Sequence, residues 1–202
     1  DINLGMAEDF SVWALFGASP AATLGLNVQP GFGKSWKDGA IYCDPRTADL
    51  GCRAILPKAS AKEELGTWKL GSGDLAEYHK RRIELGVPDG SRDMVVEKSI
   101  LLENNFDQLN GVDWEKGCYV GQELTARTKY RGLIKKRLMP VEFDGVTPAT
   151  GTPISLEGRD AGEIRSVQDN VGLALLRLAK IEEAKESGQP LLAEDTRIIP
   201  KL

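Results

Sequence analysis

One short stretch of the chain combines a thiol, a cation, an aromatic ring and an amide. It reads Lys116-Gly-Cys-Tyr-Val-Gly-Gln-Glu123. The two glycines let the backbone turn tightly around Cys118, and the residues after Gly121 are good helix formers. We therefore expect Cys118 to lie just before a helix N-terminus, with Lys116 close by. Both features favour a thiolate, so the pattern indicates a reactive thiol, although a buried structural cysteine fits the same residues.

The sulfur and imidazole content of the chain limits its metal chemistry. The chain has 3 cysteines (Cys43, Cys52 and Cys118) and 1 histidine, His79. An odd number of cysteines without a C-x-x-C spacing predicts free thiols and a reducing compartment. A complete four-ligand zinc or cluster site built from these side chains alone is not expected.

A second candidate residue, Arg82, falls on a helix that is predicted from Asp74 to about Leu85. Asp74 is expected to cap this helix, with Glu77 completing a capping box. The apolar residues at helical spacing define its predicted buried face, namely Leu75, Tyr78 and Leu85. Arg82 lies on the same face, seven residues after Leu75.

An inward-facing guanidinium at Arg82 needs an acceptor, because an unpaired buried charge is very costly. One interpretation is a structural ion pair with Glu84, Asp93 or Glu97. The other is an arginine that faces a ligand. The residues alone leave both interpretations open.

The charges of the chain restrict its partners. The net charge of −4 argues against nucleic acid, and no apolar stretch is long enough to span a membrane. Between residues 127 and 137 the charge is locally reversed, since six cations occur there without an acid. This basic run is either a solvated surface or an anchor for an anionic ligand or partner, and it comprises Arg127, Lys129, Arg131, Lys135, Lys136 and Arg137.

The elements that position these residues follow from the alternation of apolar residues and from turn signals. Before residue 60 we predict three strands, at residues 10–16, 40–43 and 52–56. Residues 17–39 are predicted to form loops with one short strand at most. A helix with a capping box follows and is predicted to end at Gly66. After residue 134 a small antiparallel sheet or barrel is predicted, with a helix at 180–186; its strands are residues 135–143, 152–156, 160–167, 171–177 and 196–199.

The motif around Cys118 is the hallmark of the YgfZ-type family, which this chain resembles over nearly its whole length. Other elements are similar to the family in order and spacing: the D-P-R…L-G-x-R element (44–53), the R-I-x-x-G-x-P element (82–88), the stretch that leads into the signature (103–113), the R…R-G element (127–132) and the C-terminal tail (162–177). The family is related to the glycine-cleavage T-protein.

This resemblance implies an α+β fold. Residues 1–134 would form T-protein-like folate-binding α/β lobes, present only in part, and residues 135–202 a small C-terminal antiparallel β-barrel domain. The family's opening segment, with its T-P-Q-G-K type turn, has no match in these residues, nor has the catalytic Asp of the T-protein. The expected site of action is a bacterial cytoplasm, with the mitochondrial matrix as the alternative.

The function that the resemblance implies is that of a tetrahydrofolate-binding accessory protein in the assembly or repair of iron–sulfur clusters. Its partners would be the cluster-assembly machinery and client iron–sulfur enzymes, and its cofactor tetrahydrofolate or a derivative. Cys118 would be the functional thiol, with Lys116 beside it. The implied folate contacts are Arg82, Glu103, Tyr119, Gln122 and Arg127.

A tetrahydrofolate pocket needs an apolar slot, an amide or carboxylate for the pterin edge and cations for the glutamate tail. The rings that could stack on the pterin are equally consistent with core packing, and they are Trp36, Trp68, Trp114 and Tyr119. The alternative functions are an aminomethyltransferase-like one-carbon transfer enzyme and a non-catalytic interaction module. Cys118 favours the maturation factor, because T-protein relatives generally carry other residues there.

Overall fold

The computed structural model describes residues 4–130, 132 and 134–201. Arg131, one member of the basic run, lies outside the described residues. The chain forms two compact units, one ending at Tyr78 and the other beginning at His79. The domain boundary predicted between residues 134 and 135 stays a prediction.

The first unit contains an antiparallel sheet with the strand order β1-β4-β3-β2. The three predicted strands are confirmed, and a short fourth strand lies in the Gly-rich region; the bounds are β1 Phe10–Leu15, β2 Gly33–Trp36, β3 Gly39–Cys43 and β4 Cys52–Pro57. Alternate residues of β4 are buried, as a strand with one covered face requires. Ile41, Ala54 and Leu56 are central to this core.

Two short helices also belong to the first unit, α1 (Pro20–Thr23) and α2 (Ala61–Thr67). α1 was not predicted, and the predicted capping box of α2 is wrong, because Ser60 makes no side-chain hydrogen bond at the N-cap. Gly66 does not end α2, which continues through it to Thr67.

The helix that carries Arg82 is α3, Leu75–Glu84. Its capping box is confirmed: Asp74 Oδ1 accepts from the N–H of Ala76 at 3.1 Å, and Glu77 Oε2 accepts from the N–H of Asp74 at 3.4 Å. The predicted face is wrong at its start, since Leu75 is 64% exposed. Burial in α3 is confined to its last turn, at Arg82 and Ile83.

The second unit ends in a closed antiparallel barrel with the strand order β10-β5-β8-β7-β6-β9. The predicted barrel is therefore confirmed, together with a helix that ends before Gly188. The bounds are β5 Lys136–Asp144, β6 Pro153–Leu156, β7 Arg159–Gln168, β8 Val171–Arg177, α5 Leu178–Ser187, β9 Leu191–Ala193 and β10 Thr196–Pro200. With the helices and the first sheet, it confirms the α+β fold.

A single asparagine anchors the segment that leads into the Cys118 motif. Asn105 follows a short 3₁₀ helix, Leu101–Asn104, and adopts a left-handed backbone with φ of 65°, which Asn tolerates better than most residues. Its Nδ2 donates to the carbonyls of Gly86 (3.0 Å) and Leu138 (2.8 Å). This segment is thereby fixed to the end of α3 and to the barrel. None of the described helices has the length and apolar character that a membrane crossing requires.

Candidate functional site

The loop around Cys118 is held by reciprocal hydrogen bonds at the start of α4, Gln122–Tyr130. The N–H of Tyr119 donates to Gln122 Oε1 (3.0 Å), and the N–H of Gln122 donates to the Tyr119 carbonyl (3.1 Å). Gly117 and Gly121 have φ of 82° and 85°, a region that side chains rarely adopt. The tight turn before a helix N-terminus is therefore confirmed.

The thiol of Cys118 is exposed and not in a disulfide. The buried structural interpretation of this cysteine is therefore wrong. Cys118 lines an open groove of about 660 Å³, a volume suited to a small organic ligand. The other lining residues are Tyr119, Gly121, Gln122, Glu123, Ala126, Arg127 and Tyr130.

Two cations in and beside the groove are paired with neighbouring side chains. Lys116 Nζ lies 4.3 Å from the centroid of the Tyr119 ring, within the range of a cation–π interaction. Arg127 forms an ion pair with Glu123 one helical turn earlier. These contacts give the groove paired charges of both signs beside two tyrosine rings, Tyr119 and Tyr130.

The groove is lined by aromatic, amide and charged side chains. Tyr119 and Tyr130 offer aromatic faces, Gln122 an amide, Glu123 a carboxylate and Arg127 a cation. Glu123 and Tyr130 also line the groove, but they were not among the predicted site residues. Glu123 lies within the signature itself, where an acid in the first turn of a helix could have been noticed.

The basic run extends over two elements in the described residues. Lys129 lies on α4, 3.7 Å from the Trp114 ring centroid, and Trp114 packs edge to face on Tyr130. Arg137 lies on β5 and forms an ion pair with Asp107 at 3.1 Å. The single anchor considered from the sequence is thus divided between a helix and a barrel strand.

Arg82 belongs to a buried network of hydrogen bonds. Its Nη1 lies 2.7 Å from Asp93 Oδ2, and its Nη2 donates to Ser166 Oγ at 2.9 Å. Nη1 also donates to the Val87 carbonyl (3.2 Å), and Nε to His79 Nδ1 (3.1 Å). Arg82 is 3% exposed. The structural ion pair with Asp93, one of the two interpretations left open, is confirmed.

The predicted folate residues are not all brought together. Tyr119, Gln122 and Arg127 line the groove of Cys118, whereas Arg82 lines a different cavity that shares no residue with it. Glu103 lies half-buried in the 3₁₀ helix and lines neither. The folate roles of Arg82 and Glu103 stay predictions.

In the first unit the D-P-R…L-G-x-R element forms a network of ion pairs. Asp44 is 2% exposed and accepts from Arg46 Nε (2.9 Å) and Arg53 Nε (2.7 Å). Burial by itself would raise the pKa of Asp44, but these hydrogen bonds outweigh it and hold the pKa below its ordinary value.

Trp36 and Trp68 pack edge to face, with centroids 5.2 Å apart, so core packing is the interpretation that holds for this pair.

The other two thiols contrast with Cys118. Cys43 and Cys52 are buried and free, their sulfurs lie 3.8 Å apart, and burial is the main reason that the pKa of Cys52 is raised to about 12. Such a thiol is almost entirely protonated at neutral pH and reacts poorly. Among the described residues, no group of three or more histidine, cysteine or acidic side chains is arranged to hold a metal ion.

Alkylation at neutral pH is therefore expected to modify Cys118 at least ten times faster than Cys43 or Cys52. The reason is that Cys118 is exposed, whereas Cys43 and Cys52 are buried. Peptide mass spectrometry after timed iodoacetamide treatment measures the three rates. In urea all three should react alike. Equal rates in the folded protein would contradict the geometry of the loop.

Comparison with known proteins bears on both parts of the chain. The family profile described as "CAF17, C-terminal beta-barrel domain" matches residues 135–202. The human protein named "Iron-sulfur cluster assembly factor IBA57, mitochondrial" is 39% identical over 196 residues, which cover 92% of this chain and 53% of the human protein. The chain is thus similar to the IBA57/CAF17 family over nearly its whole length.

Other IBA57 relatives show the same similarity. The mouse IBA57 is 41% identical over 170 residues, covering 78% of this chain and 45% of the mouse protein. The homologue from Mycosarcoma maydis is 37% identical over 180 residues, covering 73% and 44%. The chain thus spans about half the length of the curated relatives that it matches.

A solved structure shows the same fold. The crystal structure of the glycine cleavage system aminomethyltransferase T from Bartonella henselae superposes with a TM-score of 0.59 over 84% of this chain and 50% of that one. The sequence identity is 17%. At this identity the likeness shows the fold and does not extend to the activity.

Proposed function

We propose that this protein, which is similar to the IBA57/CAF17 family, takes part in the assembly of iron–sulfur clusters and that it acts through Cys118. The observation that carries the proposal is the exposed, unbridged thiol in a groove at the start of α4. Relatives over most of the chain bear the name of cluster assembly factors. Thiolates are the ordinary ligands of such clusters.

Cys118 would supply one ligand of a shared site. Among the described residues, no group of three or more histidine, cysteine or acidic side chains could hold a metal ion, and a cluster is usually bound by four cysteine thiolates. The remaining ligands would come from a partner in the assembly machinery, from a client iron–sulfur enzyme or from a small thiol. An exposed groove suits the transient binding of a cluster shared with a partner better than a closed pocket does.

Tetrahydrofolate or a derivative is the ligand that we propose for the same groove. Tyr119 and Tyr130 would hold the pterin between apolar faces, and Gln122 and Glu123 would hydrogen-bond its edge. Arg127 would supply the cation nearest to the acidic tail. The bound folate would offer its one-carbon and redox chemistry, and the protein residues would hold and orient it.

Replacing Tyr119 with Ala in the full-length protein is expected to weaken tetrahydrofolate binding at least tenfold, or about 1.4 kcal/mol. The ring supplies apolar area that the variant lacks. Anaerobic isothermal titration measures the affinity. Val120→Ala is the matched control, because Val120 is fully exposed and does not line the groove. No binding by the parent, or equal binding by both variants, would reject the folate site.

The compartment is proposed on the names of the relatives. Those named above are called mitochondrial, and they give no support to the expectation of a bacterial cytoplasm. We therefore propose the mitochondrial matrix as the site of action. Fractionation of cells that express the full-length protein tests this placement.

A further inference from the structure

A second cavity in the unit that begins at His79 is lined by cations. It has a volume of about 300 Å³, and its charged lining residues are Arg82, Arg92 and Arg165. None of its lining residues is an acid. The rest of the lining is His79, Ile83, Thr150, Ser166, Val167 and Gln168.

Each of the three guanidiniums has a carboxylate partner that lies outside this lining. Asp93 holds Arg82 at 2.7 Å, whereas Asp89 is 3.6 Å from Arg92, which is 54% exposed. The second of these pairs is long and open to water, so it is a weak pair. The cavity lining itself carries three guanidiniums and no carboxylate.

Arg165 is the least satisfied member of the cluster. It sits at a register shift in β7 between Ile164 and Ser166, and such bulges redirect side chains. Its Nη1 is 3.1 Å from Glu163 Oε1. Its Nε is buried and finds no hydrogen-bond acceptor in the described part of the chain. A guanidinium short of acceptors is a costly feature unless a ligand supplies them.

The single histidine of the chain lies close to two of these guanidiniums. The pKa of His79 is lowered, first by burial and then by Arg92 and Arg82, against the opposing effect of Asp89 and Asp93. The imidazole is therefore neutral at physiological pH, and its Nδ1 can accept from Arg82, as observed at 3.1 Å.

We propose that this cavity binds a small oxyanion, either a phosphate group or a pair of carboxylates. Guanidiniums are the preferred partners of such groups, because their planar donors match the oxygen atoms. Ser166 and Gln168 line the same cavity and add neutral polar groups. The site shares no residue with the Cys118 groove, and so it stands or falls independently of the proposed function.

The unique imidazole makes a direct test practical. The full-length protein is titrated at constant ionic strength with inorganic phosphate, glutarate or chloride. The assigned ring resonances of His79 report binding. We expect a saturable shift of the His79 ring resonances and a rise in its pKa with phosphate or glutarate, but none with chloride. Tighter phosphate binding identifies a phosphoryl ligand, and tighter glutarate binding a dicarboxylate.

Two variants distinguish the cavity from general basicity. Arg165→Gln and Arg92→Gln should each weaken the saturable shift at least tenfold; Arg92→Gln is the safer variant for folding, because Arg92 is half exposed. Arg197→Gln, an exposed arginine of β10, is the matched control and should bind as the parent does. The proposal is overturned if neither oxyanion gives a saturable shift, or if the Arg165 and Arg92 variants bind like the control.

Discussion

Replacement of Arg82 by Met should lower the free energy of unfolding by about 3–5 kcal/mol. The methionine keeps much of the volume but removes the charge that compensates Asp93, which is buried with 0% of its side chain exposed. Ser166 Oγ also loses its guanidinium donor. Urea unfolding followed by circular dichroism measures the loss.

The matched control for this variant is Arg159→Met on the barrel surface. Arg159 pairs with both Glu157 and Glu183 but is 54% exposed, so its loss should lower the stability far less than the loss of Arg82. If Arg82→Met is as mild as this control, the buried pair does not stabilise the unit. The double variant Arg82→Met/Asp93→Asn should recover part of the loss, because the uncompensated charge is then gone.

The same variant bears on the folate role predicted for Arg82. Folate affinity has to be measured under conditions in which the variant is still folded. A weakened affinity in a folded variant would support the prediction. An unchanged affinity would leave Arg82 as a structural residue.

Local chemistry explains which parts of the fold were predictable. The barrel strands alternate apolar and polar residues between Gly, Pro and Asp turns, and that pattern marks strands whatever they pair with. β9 was missed because three residues, Leu191–Ala193, are too short to show a period. The predicted burial of Leu75 is wrong, because periodicity shows which residues share a face of a helix but not how much of that face other elements cover.

In the candidate site, too, only the features formed by neighbouring residues were predictable. The turn around Cys118 follows from Gly117 and Gly121 and from the helix formers that come next, all of them neighbours in sequence. Ser166, which completes the Arg82 network, is 84 residues away from it. No spacing in the sequence could place that hydroxyl beside Arg82, nor separate Arg82 from the groove of Cys118.

Cys118→Ser is expected to remove the cluster-assembly function while leaving the fold intact. Serine keeps the size of the side chain but offers no thiolate to a cluster, and an exposed loop residue contributes little to stability. Cys52→Ala is the matched control, because it also removes one thiol but from a buried position away from the groove. It should lower stability modestly and keep the function.

The most direct test of the central claim is the activity of iron–sulfur enzymes in cells whose own copy has been deleted and replaced by the full-length protein or a variant. Activities are normalised to the amount of each protein. Because the function is proposed to depend on the thiol of Cys118, we expect the parent and Cys52→Ala to restore these activities, whereas Cys118→Ser should restore less than about a tenth of them. Full restoration by Cys118→Ser would contradict the account.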